Sequence, residues 1–259
     1  MLWWIAPSER SWNDEKDIGH QKAHFAEYAV YPAGAVCYQF WRGMANGTRG
    51  GCFRKVSFAG CYSSKDLLNW KFEGIVLPAV KNDPDHDLHP SKVLERPKVV
   101  YNKKTGKFVM WAHVESADYS KACAGVAVSD SPVGPFIYQG SFRPNNAMSR
   151  DQTVFVDDDG RAYQFYSSEN NATMYISLLT DDYLKPSGRF TRNFVKESRE
   201  APAVFKYDGK YYMLSSGCTG WDPNVAEIAV ADSIMGTWKT IGNPCTGPEA
   251  GQRSMTAQK

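Results

Sequence analysis

At 259 residues the chain can hold one large all-β domain or two small ones, and a formal charge of +2 with no dense Lys/Arg run argues against a nucleic-acid or membrane-surface partner. No apolar stretch approaches the ~20 residues of a membrane-spanning helix, and the opening MLWWIA is too short, and lacks the basic start, for a secretory signal. Six cysteines (Cys37, Cys52, Cys61, Cys123, Cys218, Cys245) without a C-x-x-C pair argue against a zinc or dithiol motif and leave one or two disulfides open.

In chain order, residues 1–55 show neither sustained alternation nor a helical stripe, and are expected to be an atypical segment or a degenerate first blade. Regularity starts near Phe58. AGCYSSKDLLNWKFEG (59–74) is the first of four similar units, followed by those at 125–140, 174–190 and 226–242. Each reads as a short apolar strand, an Asp-containing bend and a second strand, headed in three copies by an aromatic residue (Trp70, Phe136, Trp238). Between the first unit and the next motif lies DPDHDLH, with Asp83, Asp85, His86, Asp87 and His89, which reads as a solvated connection rather than a metal site.

A second unit alternates with the first. It opens on an acid: Glu95 in ERPKVVYNKKTGKFVMWAH, Asp151 in DQTVFVDDDGRAYQFYSS and Glu200 in EAPAVFKYDGKYYMLSSG. Each acid precedes alternating apolar residues, a Gly-containing turn and an aromatic strand, and the acids stand 56 and 49 residues apart (95 to 151, 151 to 200). Recurrence near fifty residues, with each unit reading as strands, predicts propeller blades. Three are complete, at 95–140, 151–190 and 200–242. Residues 59–77 supply the outer half of an earlier one, whose inner half should lie within 20–55 but matches none of the other copies. A blade starting near Ser254 would need about thirty further residues by the same repeat.

The first strand of a blade lines the central channel, so Glu95, Asp151 and Glu200 should converge. Clustered carboxylates raise one another's pKa, which keeps one protonated near neutral pH. Glycoside hydrolysis needs this: a protonated acid at the glycosidic oxygen and a second group to handle water or the anomeric carbon. The many aromatic residues (eight Trp, fourteen Tyr) suit both a strand-rich core and sugar stacking.

At these residues the sequence resembles glycoside hydrolase family 43, over roughly residues 58 to 258. SRDQTVFVDDDGRAY and EAPAVFKYDGKYYMLSS are similar to the family's two acid-bearing strands. ERPKVVYN, WAHVES, GVAVSDSPVGPF, SRD and GCTGWDPN are similar to its exo-β-1,3-galactanase branch. The resemblance implies a five-bladed β-propeller, incomplete in this chain, with residues 56–259 as the propeller domain. It implies an inverting exo-glycosidase that removes terminal β-1,3-linked galactose from galactan or arabinogalactan side chains. Glu200 would be the general acid, Asp151 would tune and orient it, and Glu95 would bind substrate hydroxyls. Thr219, Trp221 and Asn224 would border the sugar subsite, and Gln258 would handle the water. No cofactor or metal is implied, and the expected protein is a monomer acting on oligo- or polysaccharide. Family members are secreted or periplasmic.

The chain departs from the branch at its start. The Ala-His-Gly-Gly-type opening, the Tyr-Tyr-Trp strand and the Gly-Glu that supply first-blade contacts have no ordered equivalent in residues 1–55, where Lys22-Ala23-His24-Phe25 is the nearest fragment. A gene fragment or shifted reading frame would give such a start and predicts a poorly packed segment there. The alternatives are an α-L-arabinofuranosidase or β-xylosidase on the same fold, and a catalytically inactive sugar-binding propeller.

Overall fold

The computed structural model describes residues 59–220 and 224–246 in full, and the backbones of two earlier strands, Glu27–Tyr31 and Gly34–Phe40. The described part is four antiparallel sheets of four strands, in chain order. Sheet A holds β1 (Glu27–Tyr31), β2 (Gly34–Phe40), β3 (Ala59–Ser64) and β4 (Lys71–Leu77); sheet B holds β5 (Val93–Asn102), β6 (Lys107–Glu115), β7 (Cys123–Ser129) and β8 (Ile137–Phe142). Sheet C holds β9 (Gln152–Val156), β10 (Ala162–Ser168), β11 (Thr173–Leu179) and β12 (Pro186–Asn193); sheet D holds β13 (Arg199–Tyr207), β14 (Lys210–Gly217), β15 (Ala226–Ala231) and β16 (Lys239–Gly242). Sheets B, C and D are the three repeats expected from the sequence. The first strands touch in the order β1, β5, β9, β13, the arrangement of propeller blades around an axis.

Sheet A holds, within 20–55, the inner half expected there. The inner half of the first sheet, which matches no other copy in sequence, is the hairpin β1–β2, with Glu27 opposite Tyr38 and Tyr31 opposite Gly34, and β2 pairs onward to β3. It has neither the Pro two residues after an acid seen in sheets B and D nor the Asp-Gly turn of sheets C and D, so a search by those templates passes over it.

Three apolar clusters lie between successive sheets. Ala59, Cys61, Val76 and Leu77 of sheet A meet Val99, Met110, Val114 and Ala127 of sheet B. Val109, Trp111 and Val126 of sheet B meet Val154, Ala162 and Leu179 of sheet C. Phe165, Met174 and Ile176 of sheet C meet Met213, Ala229 and Trp238 of sheet D. Polar ties run across the same seams. Trp111 Nε1 donates to the Tyr183 carbonyl at 2.8 Å, and Asp157 accepts from Lys206 Nζ at 2.8 Å and from the Tyr211 hydroxyl at 2.6 Å. The acidic DDDG run is a turn, as expected, closed by Gly160 N–H donating to the Asp157 carbonyl, with Gly160 at φ +79°.

The DPDHDLH segment is more than a solvated loop. Asp87 pairs with Lys121 and accepts from the Tyr138 hydroxyl at 2.7 Å, which fastens the A–B connection to sheet B. Cys61, Cys123, Cys218 and Cys245 are free thiols, and burial pushes Cys61 up to about 12, so it stays protonated.

Candidate active site

Glu95 and Glu200 are placed by the same local device. In sheet B the pairing steps from Glu95 opposite His113 to Lys98 opposite Trp111; in sheet D it steps from Glu200 opposite Ser216 to Ala203 opposite Leu214. Each inner strand therefore carries one extra residue just after its acid, a β-bulge that re-aims the side chain. The residue following each acid, Arg96 at φ 52° or Ala201 at φ 54°, takes the left-handed conformation directly before a proline. This is a strained position for a residue with a Cβ, held by the surrounding sheet. Asp151 sits one residue ahead of β9, its carbonyl accepting from Ser167 N–H at 2.9 Å.

Glu200 and Asp151 are deeply buried, at 3% and 6% exposure. Glu95, with its side chain 27% exposed, opens to solvent. One ligand atom each of Glu95, His113 and Asp151 lie within 4.8 Å of one another, so the first two repeats converge as the sequence predicts. Glu200, on sheet D, faces the β10–β11 hairpin of sheet C. Asn171 Nδ2 stands 3.4 Å from Glu200 Oε2, and Ser167 Oγ donates to the neighbouring Arg199 carbonyl at 2.8 Å.

Arg96 and Arg150 each reach beyond the acid beside them in sequence. Arg150, beside Asp151 in the chain, donates instead to the Tyr119 carbonyl at 3.2 Å and lies 3.9 Å from Glu115. Arg96, beside Glu95, pairs with Asp151 at 2.8 Å, both side chains largely buried. Gln152 locks that backbone, donating to the carbonyls of Arg96 at 2.7 Å and Trp111 at 3.2 Å.

His113 stands between Glu95 and Glu115. Burial disfavours its charged form, but hydrogen bonds to Glu115 and Glu95 and the charges of Glu95 and Asp151 outweigh burial and push the ring up to about 9. Glu115 is held below the usual carboxylate range: burial lifts it, while the His113 hydrogen bond, the Ala122 N–H and the charges of His113 and Arg150 together pull it down further. Around His113 stand the carboxyl groups of Glu95, Glu115 and Asp151 and the guanidinium groups of Arg96 and Arg150. A divalent ion at the Glu95–His113–Asp151 corner would have to displace the His113 proton and compete with Arg96.

Sheet D carries the next group. Gly217, opposite Arg199, ends β14, and the chain then leaves as GCTGWDPN at the end of the sheet where Glu200 lies. Asn224 braces this loop: its Oδ1 accepts from Gly217 N–H at 3.0 Å, and its Nδ2 donates to the Gly217 carbonyl at 2.9 Å and to Thr219 Oγ1 at 2.6 Å. Thr219 is exposed. Trp221 and Gln258 lie outside the described residues.

The family profile described as "Glycosyl hydrolases family 43" matches residues 50–254. The chain belongs to glycosyl hydrolase family 43. Among solved family 43 structures, a β-1,3-galactosidase with galactodeoxynojirimycin is 40% identical, over 89% of this chain and 79% of that one, with a TM-score of 0.80. The exo-β-1,3-galactanase of Phanerochaete chrysosporium with galactose is 34% identical over 84% of this chain, TM-score 0.73, and that of Clostridium thermocellum is 35% identical over 84%, TM-score 0.74. This chain spans 49% and 47% of those two proteins. A β-D-galactofuranosidase of Aspergillus niger is 21% identical over 98% of this chain and 70% of its own length. As a family 43 member the chain is a glycoside hydrolase.

Sequence reasoning missed Arg96, Glu115, Tyr119 and Asn171 as neighbours of these acids, and read His113, at the end of VMWAH, as able to face the axis but more often a satisfied buried histidine. Two signals were available. Asn170-Asn171 in a hairpin is a left-handed signature, realised at φ 58° and 67°. His113 and Glu115, two apart on a strand, must share a face.

Proposed function

We propose that this family 43 hydrolase is an exo-acting β-1,3-galactosidase that trims galactose from the ends of galactan or arabinogalactan side chains. The observation that carries the reading is the likeness, at 33–40% identity, to β-1,3-galactosidases and exo-β-1,3-galactanases, in a chain that buries both Glu200 and the Arg96-paired Asp151.

In this reading Glu200 protonates the leaving oxygen from its buried seat, with Asn171 against its carboxyl. Asp151, fixed by Arg96, orients Glu200 and keeps negative charge beside the anomeric centre, where positive charge develops in the transition state. Glu95, open to solvent and held by Tyr119 and His113, binds glycon hydroxyls. Thr219 and Trp221 border the sugar, Asn224 shapes their loop, and Gln258 positions the water for an inverting displacement. The full fold is a five-bladed propeller of which residues 56–259 form the family domain and residues 1–55 an atypical lead-in. The protein acts as a secreted or periplasmic monomer on saccharides, with no nucleic-acid or membrane partner.

Glu200→Gln tests the reading. Galactose release from β-1,3-galactan should fall by about 10³-fold, the scale of a lost general acid, with oligosaccharide binding retained. Unchanged turnover would remove Glu200 from the mechanism. A Glu-to-Gln variant of the Phanerochaete enzyme holds β-1,3-galactotriose. The second reading, a sugar-binding propeller without turnover, is favoured by the missing first-blade motif in residues 1–55. It predicts calorimetric binding with no hydrolysis over long incubation. The arabinofuranosidase or xylosidase alternative predicts release from aryl arabinofuranoside or xyloside instead.

A further inference from the structure

β6 ends on two ionisable residues, His113 and Glu115, that share one face of the strand. Glu115 is fully buried. Burying a carboxylate costs several kcal/mol unless it is paired, and no step proposed above uses this one. Its Oε1 lies 3.3 Å from His113 Nε2, while His113 Nδ1 lies 3.4 Å from Oε2 of Glu95. The imidazole therefore spans two carboxylates, one sealed in the protein and one facing the site.

The second oxygen of Glu95 is also taken. Oε1 accepts from the Tyr119 hydroxyl at 2.8 Å, and the Tyr119 carbonyl accepts from Arg150 Nη2. Arg150 Nε in turn stands 3.9 Å from Glu115 Oε1. The contacts close into a ring: Glu115, His113, Glu95, Tyr119, Arg150, and back to Glu115.

We propose that Glu115 is a positioning residue for Glu95, acting through His113 to fix the orientation of the carboxylate that receives the sugar hydroxyls. This rests on the reading of Glu95 as a glycon-binding residue. A carboxylate held on one oxygen by the Tyr119 hydroxyl and on the other by the imidazole 3.4 Å away is turned in one direction, and the incoming sugar does not have to order it. Without the Glu115 charge the ring loses its buried anchor, and Glu95 regains the freedom of an open side chain.

Calorimetric binding of galactodeoxynojirimycin, the compound held by the 40%-identical β-1,3-galactosidase, provides the test. Glu115→Gln keeps volume and an acceptor oxygen while removing charge, and affinity should fall about tenfold, the scale of one charge-assisted hydrogen bond. In a Glu95→Gln background the same substitution should change affinity by less than about twofold, because the group it positions is already altered. Equal losses in both backgrounds, or none in either, overturn the proposal and leave Glu95 as a sugar ligand. Absence of binding by the unsubstituted protein overturns the site reading and the proposal together. If Glu115→Gln does not fold, ¹⁵N NMR of the unsubstituted protein decides. Both His113 ring nitrogens protonated and hydrogen-bonded at neutral pH support the link, and a single protonated nitrogen overturns it.

Discussion

The charge of His113 sets a pH dependence that belongs to one residue. Its folded value of about 9 stands above its ordinary 6.5, so the stability it contributes is whole below about pH 6.5 and is lost as pH rises through 9. Glu115 acts with the opposite sign: its folded value is depressed, so its contribution holds above the ordinary carboxylate range and is lost as pH falls through that depressed value. Urea unfolding between pH 6.5 and 9 should show a loss on the order of 3 kcal/mol in the native chain, and His113→Gln should flatten it. An unchanged slope in the variant would assign the loss to other groups. Glu95, Asp151 and Glu200 were legible as a set because the repeat gives them equivalent positions, and the structure brings Glu95 and Asp151 together. Their counter-ions were not. Arg96 and Arg150 each stand next to an acid in sequence, and only the bulge after Glu95 reveals that Arg96 crosses to Asp151.

At the scale of elements, the loop after β14 depends on Asn224. One side-chain amide holds both polar groups of the Gly217 backbone and the Thr219 hydroxyl, so it substitutes for a turn across a Gly- and Pro-rich stretch. Asn224→Ala should leave kcat within about twofold while raising KM several-fold, the pattern of lost ground-state binding, with faster amide exchange at residues 217–219. A fall in kcat at constant KM would instead place Asn224 in the chemical step. The sequence marked this segment as a loop bordering the sugar, but not that the Asn works on the loop itself. That role depends on side-chain geometry across seven residues, and no spacing rule encodes it. Sheets B, C and D were legible to within a few residues at most ends, since alternation, a Gly turn and an acid start agree in each copy. The β1–β2 hairpin, in a segment without sustained alternation, shares too little of this pattern to be matched.

For the whole molecule, stability resides in the seams between sheets, and Gly134 marks one of them. A Cβ at this position would lie 2.8 Å from the Val76 Cβ, and the residue sits at φ +73°. Beside it, Phe136 N–H donates to the Val76 carbonyl at 2.7 Å, joining sheets A and B. Gly134→Ala adds overpacking to backbone strain and should destabilise by about 2–4 kcal/mol in urea unfolding. A loss below about 0.5 kcal/mol, the range of ordinary surface changes, would show that the seam gives way freely. The sequence flagged this position as a bend, whereas its function as a close approach between sheets appears only once the outer strand of one blade is laid against its neighbour.

Arg96 is supplied by one sheet and serves an acid at the edge of the next. The alignment of Asp151 is therefore a readout of how sheets B and C are seated against each other, with the cluster around Trp111 and Val154 as the bearing between them. If Asp151 acts as proposed, the seating of these two sheets and the geometry of the reaction are mechanically one property, because a displaced sheet carries the guanidinium with it. Buried substitutions along that bearing would then reach the reaction without touching the sugar.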